Sequence, residues 1–302
     1  MVADGSNLSN AAKELEMHYN AGRGVVRGMA SALMLLLLGG GVGAQRPAQN
    51  PLFRNIELCN GADRSLPDIQ IGGCTALIDS GKQPPQTLVI AYNNRGNAFS
   101  AKGEYDRAIQ DYDQSIKLNP NYARAFNNRG VAYQKKGEYD RAIDDFDQSI
   151  KLNPQYASAF VNRAQTYLNK GEYQRAILDY DEAIQLKPTL EAVWNGRCWS
   201  RAIVGELQAA LADCNEALRL KPDVAATLDS RGLAYLKMGQ WDSAIEDYNE
   251  ALRIDPRLAS SLYGRGLAKL KTGDTTGGNT DIAAAKAIEA NIVGDFARYG
   301  VQ

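Results

Sequence analysis

The chain has 302 residues, 44% of them hydrophobic, with 34 Lys plus Arg against 35 Asp plus Glu and a formal net charge of −1. Both signs are interspersed along its length, so no basic face large enough for nucleic acid is implied. The only histidine, His18, falls within a stretch read as a removable signal, and a chain without it lacks the commonest general base and any His-containing zinc or iron site.

In chain order, residues 1–44 read as an export signal. Arg23 and Arg27 supply positive charge, residues 29–38 (MASALMLLLL) a short apolar run, and Val42-Gly43-Ala44 the small residues that signal peptidase favours. A bilayer span needs roughly 20 apolar residues, so cleavage before Gln45 and a periplasmic or secreted product are expected. The alternative is a retained N-terminal anchor in the inner membrane. Residues 1–22 are a long prefix for such a signal, and a start near Met29 is a second alternative. Residues 45–52 (QRPAQNPL) read as a disordered lead.

Residues 53–88 read as an N-terminal capping segment, with a helix over Leu66–Leu77 that ends at Ile78-Asp79-Ser80-Gly81. The four cysteines form two local couples, Cys59 with Cys74 and Cys198 with Cys214. None lies in a CxxC pair, which disfavours zinc-ribbon and thioredoxin readings. Two disulfides are expected, with buried free thiols as the alternative.

From residue 89 the sequence repeats every 34 residues, in registers 89–122, 123–156, 157–190, 191–224, 225–258 and 259–292. NNRG at 93–96 returns unchanged at 127–130. The eighth position is small throughout (Gly96, Gly130, Ala164, Cys198, Gly232, Gly266), and so is the twentieth (Ala108 through Gly278), which lets two antiparallel helices approach closely. In the first register Tyr105, Ala108, Ile109, Tyr112 and Ile116 fall three or four apart, the spacing of an amphipathic helix. Glycines at 103, 137, 171, 205, 239 and 273 separate the helices, and prolines at 120, 154, 188, 222 and 256 close the units.

This pattern resembles the tetratricopeptide repeat across 89–292. The resemblance implies an all-α, right-handed α-solenoid of about six TPR helix-turn-helix units with an N-terminal capping half-repeat. The sixth unit departs from the pattern at Gly277-Gly278, Asn279 and Ala290, as a terminal unit does. Residues 293–302 read as a C-terminal cap, with a last helix over Asn291–Arg298 covering the end of the array.

The resemblance also implies a non-enzymatic scaffold in the cell envelope that binds a protein or peptide in an inner groove. The alternative is a structural subunit of an envelope assembly that uses the convex face or the ends. By this resemblance the sixth-position asparagines Asn94, Asn128 and Asn162 face the groove, where each amide offers a donor and an acceptor to a peptide backbone; hydrogen bonding to neighbouring helices is the other reading. Further along, Trp199, Leu233 and Leu267 at the ninth position form an apolar stripe, either a contact site or a face covered by the C-terminal helix or by adjacent helices. The seventh-position arginines Arg95, Arg129, Arg163, Arg197, Arg231 and Arg265 are matched by aspartates at the twenty-third, and are read as structural pairs along the helix seam rather than an anion-binding ladder. Asp111-x-Asp113-x-Ser115 lacks the glycine a calcium loop needs, Gly264-Arg265-Gly266 lacks the third glycine of a dinucleotide loop, and the lysines of a carboxylate clamp are missing. No catalytic residue, cofactor or metal is expected.

Overall fold

The computed structural model describes residues 51–61 and 66–301. The export signal, His18, the cleavage point and the lead up to residue 50 lie outside the described residues. These contain fifteen α-helices and no strand. They divide into two compact units, one ending at Pro154 and the other beginning at Gln155.

The first unit holds α1 (Pro51–Cys59), α2 (Pro67–Asp79), α3 (Pro85–Ala101), α4 (Tyr105–Leu118), α5 (Ala123–Lys135) and α6 (Tyr139–Leu152). The expected half-repeat is a complete helix pair. Pro51 and Leu52, assigned to the lead, begin α1, which packs along α2. The two helices meet closely because α2 presents Gly73, where a Cβ would lie 2.6 Å from that of Leu58. Cys59 and Cys74 are joined across the pair, their Cα atoms 4.5 Å apart.

The second unit holds α7 (Ala157–Lys170), α8 (Tyr173–Leu186), α9 (Glu191–Val204), α10 (Leu207–Leu220), α11 (Ala225–Lys237), α12 (Trp241–Ile254), α13 (Ala259–Thr272), α14 (Thr275–Ile288) and α15 (Ile292–Arg298). From α3 onward each 34-residue register is one pair, an A helix followed by a B helix. The glycine between them takes a left-handed conformation in every pair, with φ from 74° to 94°. At Gly103 this lets the Glu104 amide donate back to the Phe99 carbonyl at 2.9 Å, which ends α3 and turns the chain into α4.

Three pairs close around an aromatic contact. The ring at position twenty-four packs against the backbone at position eight, so a Cβ on Gly96 would meet Tyr112 at 2.6 Å, one on Gly130 would meet Phe146 at 2.7 Å, and one on Gly232 would meet Tyr248 at 2.8 Å; in the sixth register Ile282 takes the place of the ring, 2.7 Å from a Cβ on Gly266. The fourth register carries Cys198 and Cys214 at these two positions. They are bonded, with Cα atoms 5.4 Å apart, and a covalent link stands where the first, second and fifth registers have a ring against a glycine.

Along each seam the arginine makes a fork. Arg129 donates through Nε and Nη2 to the two carboxylate oxygens of Asp145, at 2.8 and 2.7 Å, and Arg95, Arg163, Arg197, Arg231 and Arg265 do the same to Asp111, Asp179, Asp213, Asp247 and Asp281. A third nitrogen reaches the preceding pair: Arg129 to Asp113 at 2.5 Å, Arg197 to Asp181 at 2.6 Å, Arg231 to Asn215 at 2.7 Å and Arg265 to Asn249 at 2.8 Å. Arg95 reaches Thr75 of α2 at 3.1 Å, which ties the N-terminal pair into the same scheme. One side chain thus fixes both the pair and its register against the pair before it.

Removing the cation while leaving its buried partner costs more than removing both. Arg129→Met is therefore expected to lower the unfolding free energy by about 3 kcal/mol, and Arg129→Met with Asp145→Leu to recover much of that loss. Urea denaturation of the three chains checks this.

Candidate protein-binding face

In the first unit the asparagines form a chain of amides between A helices. The Asn128 amide nitrogen donates to Asn93 Oδ1 at 3.0 Å and to Asn97 Oδ1 at 2.9 Å, while its oxygen accepts from Asn127 at 3.1 Å. Asn94 donates to the Cys59 carbonyl and to Asn60 Oδ1, both at 3.2 Å, and so binds α3 to the end of α1. The expectation that Asn94 and Asn128 present their amides to a peptide is corrected: both are engaged with neighbouring helices. Asn162, in α7 of the second unit, is half-buried. Beside the amide chain, Asn97, Ser100 and Val131 are partly exposed on the A-helix face of α3 and α5.

At Gly196 and Gly264 the loss of asparagine from position six has a packing cause. The Tyr180 ring passes beyond its own pair and fills the space where a Cβ on Gly196 would stand, 2.5 Å from Cζ. Tyr248 does the same at Gly264, at 2.3 Å. Only glycine fits beneath the two phenols, which are themselves fully buried. Position six is a helix-to-helix contact in these pairs and not part of an open groove.

The apolar stripe is covered. Leu233 is 1% exposed and packs in one cluster with Ile292 and Phe296 of α15, and Trp199, Leu267, Tyr299 and Val301 border that cluster. Trp199, Leu233 and Leu267 are therefore not an exposed contact surface in this structure. The C-terminal segment and the neighbouring A helices pack with them in that cluster, and the segment does more than close the end of the array. α15 packs on α13 and α14, and the residues after it extend over α9 and α11. The Phe296 ring meets Tyr263 edge-on at 4.7 Å, and the Tyr299 ring meets Trp199 at 5.0 Å. The Lys237 ammonium, half-buried and held below its usual pKa by that burial, donates to the carbonyls of Tyr299 at 2.7 Å and Ile203 at 2.8 Å. The sequence reading missed Lys237. Its only sequence signal is a basic residue at position thirteen of an A helix, with no charge partner in the neighbouring units.

A second missed residue is Asp229. It is buried between α11 and α13, where Ser261 Oγ donates to its Oδ1 at 2.6 Å. Burial pushes its carboxyl up to about 6, against the opposing pull of the Ser261 and Ser260 hydroxyls. Among the described residues no group of three or more His, Cys, Asp or Glu is placed to hold a metal ion, and no helix is long and apolar enough to cross a membrane.

Two outcomes are expected. Gly264→Ala forces a methyl into the Tyr248 ring and is expected to cost about 1–3 kcal/mol in urea denaturation; Gly72→Ala, with nothing within 4 Å of the new methyl, is expected to gain about 0.5–1 kcal/mol. Because the folded state binds the Asp229 proton more tightly than the unfolded chain, its contribution is complete below about pH 4 and is lost as pH rises through about 6. The loss amounts to about 3 kcal/mol, and Asp229→Asn should flatten the fall in melting temperature between about pH 4 and 6.5.

Residues 96–137 and 232–273 match the family model described as TPR repeat, and residues 123–156 and 157–190 match the one described as tetratricopeptide repeat. The comparison with curated proteins finds no match. Among solved structures, a tetratricopeptide repeat protein from Parabacteroides merdae has a TM-score of 0.62 at 17% identity, covering 82% of this chain and 98% of its own. PilF of Pseudomonas aeruginosa has a TM-score of 0.60 at 16% identity, with 71% and 99% covered. YrrB, described as a TPR protein with an unusual peptide-binding site, has a TM-score of 0.55 at 22% identity, with 64% and 97% covered. At these identities the likeness is one of fold. With its 34-residue period, its succession of A and B helices and its matched repeats, the chain is a tetratricopeptide-repeat protein.

Proposed function

We propose that the chain is an exported, non-enzymatic scaffold that holds a segment of a partner protein against the inner faces of its A helices. Tetratricopeptide repeats serve protein–protein interaction, and a protein partner follows from the repeats themselves. The observation that carries the finer reading lies in the second unit. There a stretch of polypeptide, the chain's own C-terminal segment, is already seated across α9, α11 and α13 through two aromatic rings and a lysine-to-carbonyl contact. A surface that takes an internal segment in this way has the chemistry to take an external one. The peptide-binding site for which YrrB is described supports the reading by analogy of fold.

Export rests on the charged, apolar and small-residue succession of 23–44. The two disulfides suit an oxidising compartment, periplasmic or extracellular. On this reading the mature chain begins at Gln45, and a retained membrane anchor would show instead as an unshortened chain in the membrane fraction.

The outer surface offers the competing mode, a structural subunit docked through its B helices, since Leu178 of α8 is 65% exposed there. Photo-crosslinkable residues placed at Ser100 and Val131 on the A face and at Leu178 on the B face separate the two. Crosslinks to a common partner from Ser100 or Val131 are expected. Crosslinks from Leu178 alone would assign the contact to the outer surface and overturn the groove reading.

A further inference from the structure

The C-terminal segment is attached to the second unit in an uneven way. Its polar groups are satisfied mostly within itself: Arg298 and the Asn291 amide both donate to Asp295 Oδ1, and the Asp295 amide donates to the Asn291 carbonyl. Its anchorage to the A helices is apolar, through Ile292, Phe296 and Tyr299, with the Lys237 ammonium on the Tyr299 carbonyl as the principal polar tie. The segment can leave without exposing a broken ion pair of its own. It follows the last repeat through the short turn Glu289–Asn291, so no other part of the chain must move to release it.

What it would uncover is specific. Tyr263 and Trp199 are two seats for aromatic rings, presently filled by side chains three residues apart. Leu233 and Leu236, both almost fully buried, lie in the same cluster as the partly buried Ile203 and Leu267. Such a strip does not stay open to water without a partner. Lys237 joins the groove wall to the occupant through main-chain carbonyls only, at Ile203 on one side and Tyr299 on the other. A main-chain carbonyl is present in any peptide, so this contact selects a polypeptide without reading its side chains. The two ring seats supply the side-chain selectivity.

We propose that the segment from Ile292 to Val301 is an internal competitor, and that the partner taken by this groove is a protein segment carrying two aromatic side chains three residues apart, which displaces Phe296 and Tyr299 from the same seats. The inference rests on the groove-binding reading above and adds to it both the chemistry of the partner and a default closed state. The affinity of the groove for such a segment is lowered by the fraction of time the internal segment is seated.

The test uses the full chain and a synthetic peptide with the sequence of residues 289–302, EANIVGDFARYGVQ, carrying a fluorophore at its N-terminus. By anisotropy it is expected to bind the Phe296→Ser/Tyr299→Ser chain at least about tenfold more tightly than the wild-type chain, because the variant groove is open. A peptide with the corresponding phenylalanine and tyrosine replaced by serine is expected to bind neither, and adding Lys237→Ala to the double variant is expected to weaken binding again. Equal affinity of the labelled peptide for the wild-type and double-variant chains would overturn the competition. Should the double variant lose its helical circular dichroism, hydrogen exchange on the wild-type chain decides: saturating unlabelled peptide should speed exchange at 292–301 while α9 and α11 stay protected, and unchanged exchange at 292–301 would overturn the inference. Failure here with partner crosslinks from Ser100 or Val131 intact would remove the internal competitor alone and leave the scaffold reading standing.

Discussion

The three-way arginine at the helix seam is the contact on which the rest of the molecule depends. Two of its nitrogens meet both carboxylate oxygens of an aspartate in the same pair, and the third meets an acceptor in the pair before it. A partly buried ion pair of this kind adds little net stability over apolar residues of the same volume, but it sets one geometry and penalises all others. A small residue at position eight lets the two helices of a pair come together; the arginine ties that pair to the one before it. Among repeats that pack on their neighbours, that local rule recurs along each unit.

The same logic explains which positions vary. The arginine and the small residue at position eight recur in all six registers because each pair needs them. Position six is freer: it takes an asparagine where amides link neighbouring A helices, and a glycine where the tyrosine of the preceding pair reaches across, as Tyr180 and Tyr248 do. Cys198 and Cys214 exchange the ring-on-glycine contact for a bond without disturbing the arginine beside them, since Arg197 still forks onto Asp213.

Much of this was legible in the sequence because it is local. The helix pairs follow from the spacing of Tyr105, Ala108, Ile109 and Tyr112, the turns from the recurrent glycines, and the arginine-to-aspartate pairing from a constant separation of sixteen residues. The third arginine contact was missed because its acceptor at position twenty-five changes from Asp113 to Asn215 and Asn249, and a varying residue does not stand out as a ladder. Which of the two readings of the apolar stripe holds, contact site or covered face, was not legible. Trp199 and Tyr299 are 100 residues apart, and no periodicity joins a groove to the tail that fills it. Asp229 escaped for a related reason: its environment is built by Ser261 of the next register, and a lone acid in an amphipathic helix reads as solvated.

What the structure presents for function is therefore a strongly specified frame with one weakly specified occupant. Helix pairs, seams and cross-links are fixed by repeated contacts, whereas the C-terminal segment is held on the A helices by a few apolar anchors and one lysine. On the proposed reading such a scaffold binds with its A helices. Hydrogen exchange of the full chain with and without a captured partner measures that directly. Faster exchange at 292–301 with α9, α11 and α13 still protected is the result the account requires; protection confined to α8, α10 and α12, with 292–301 and the A helices unchanged, would contradict it.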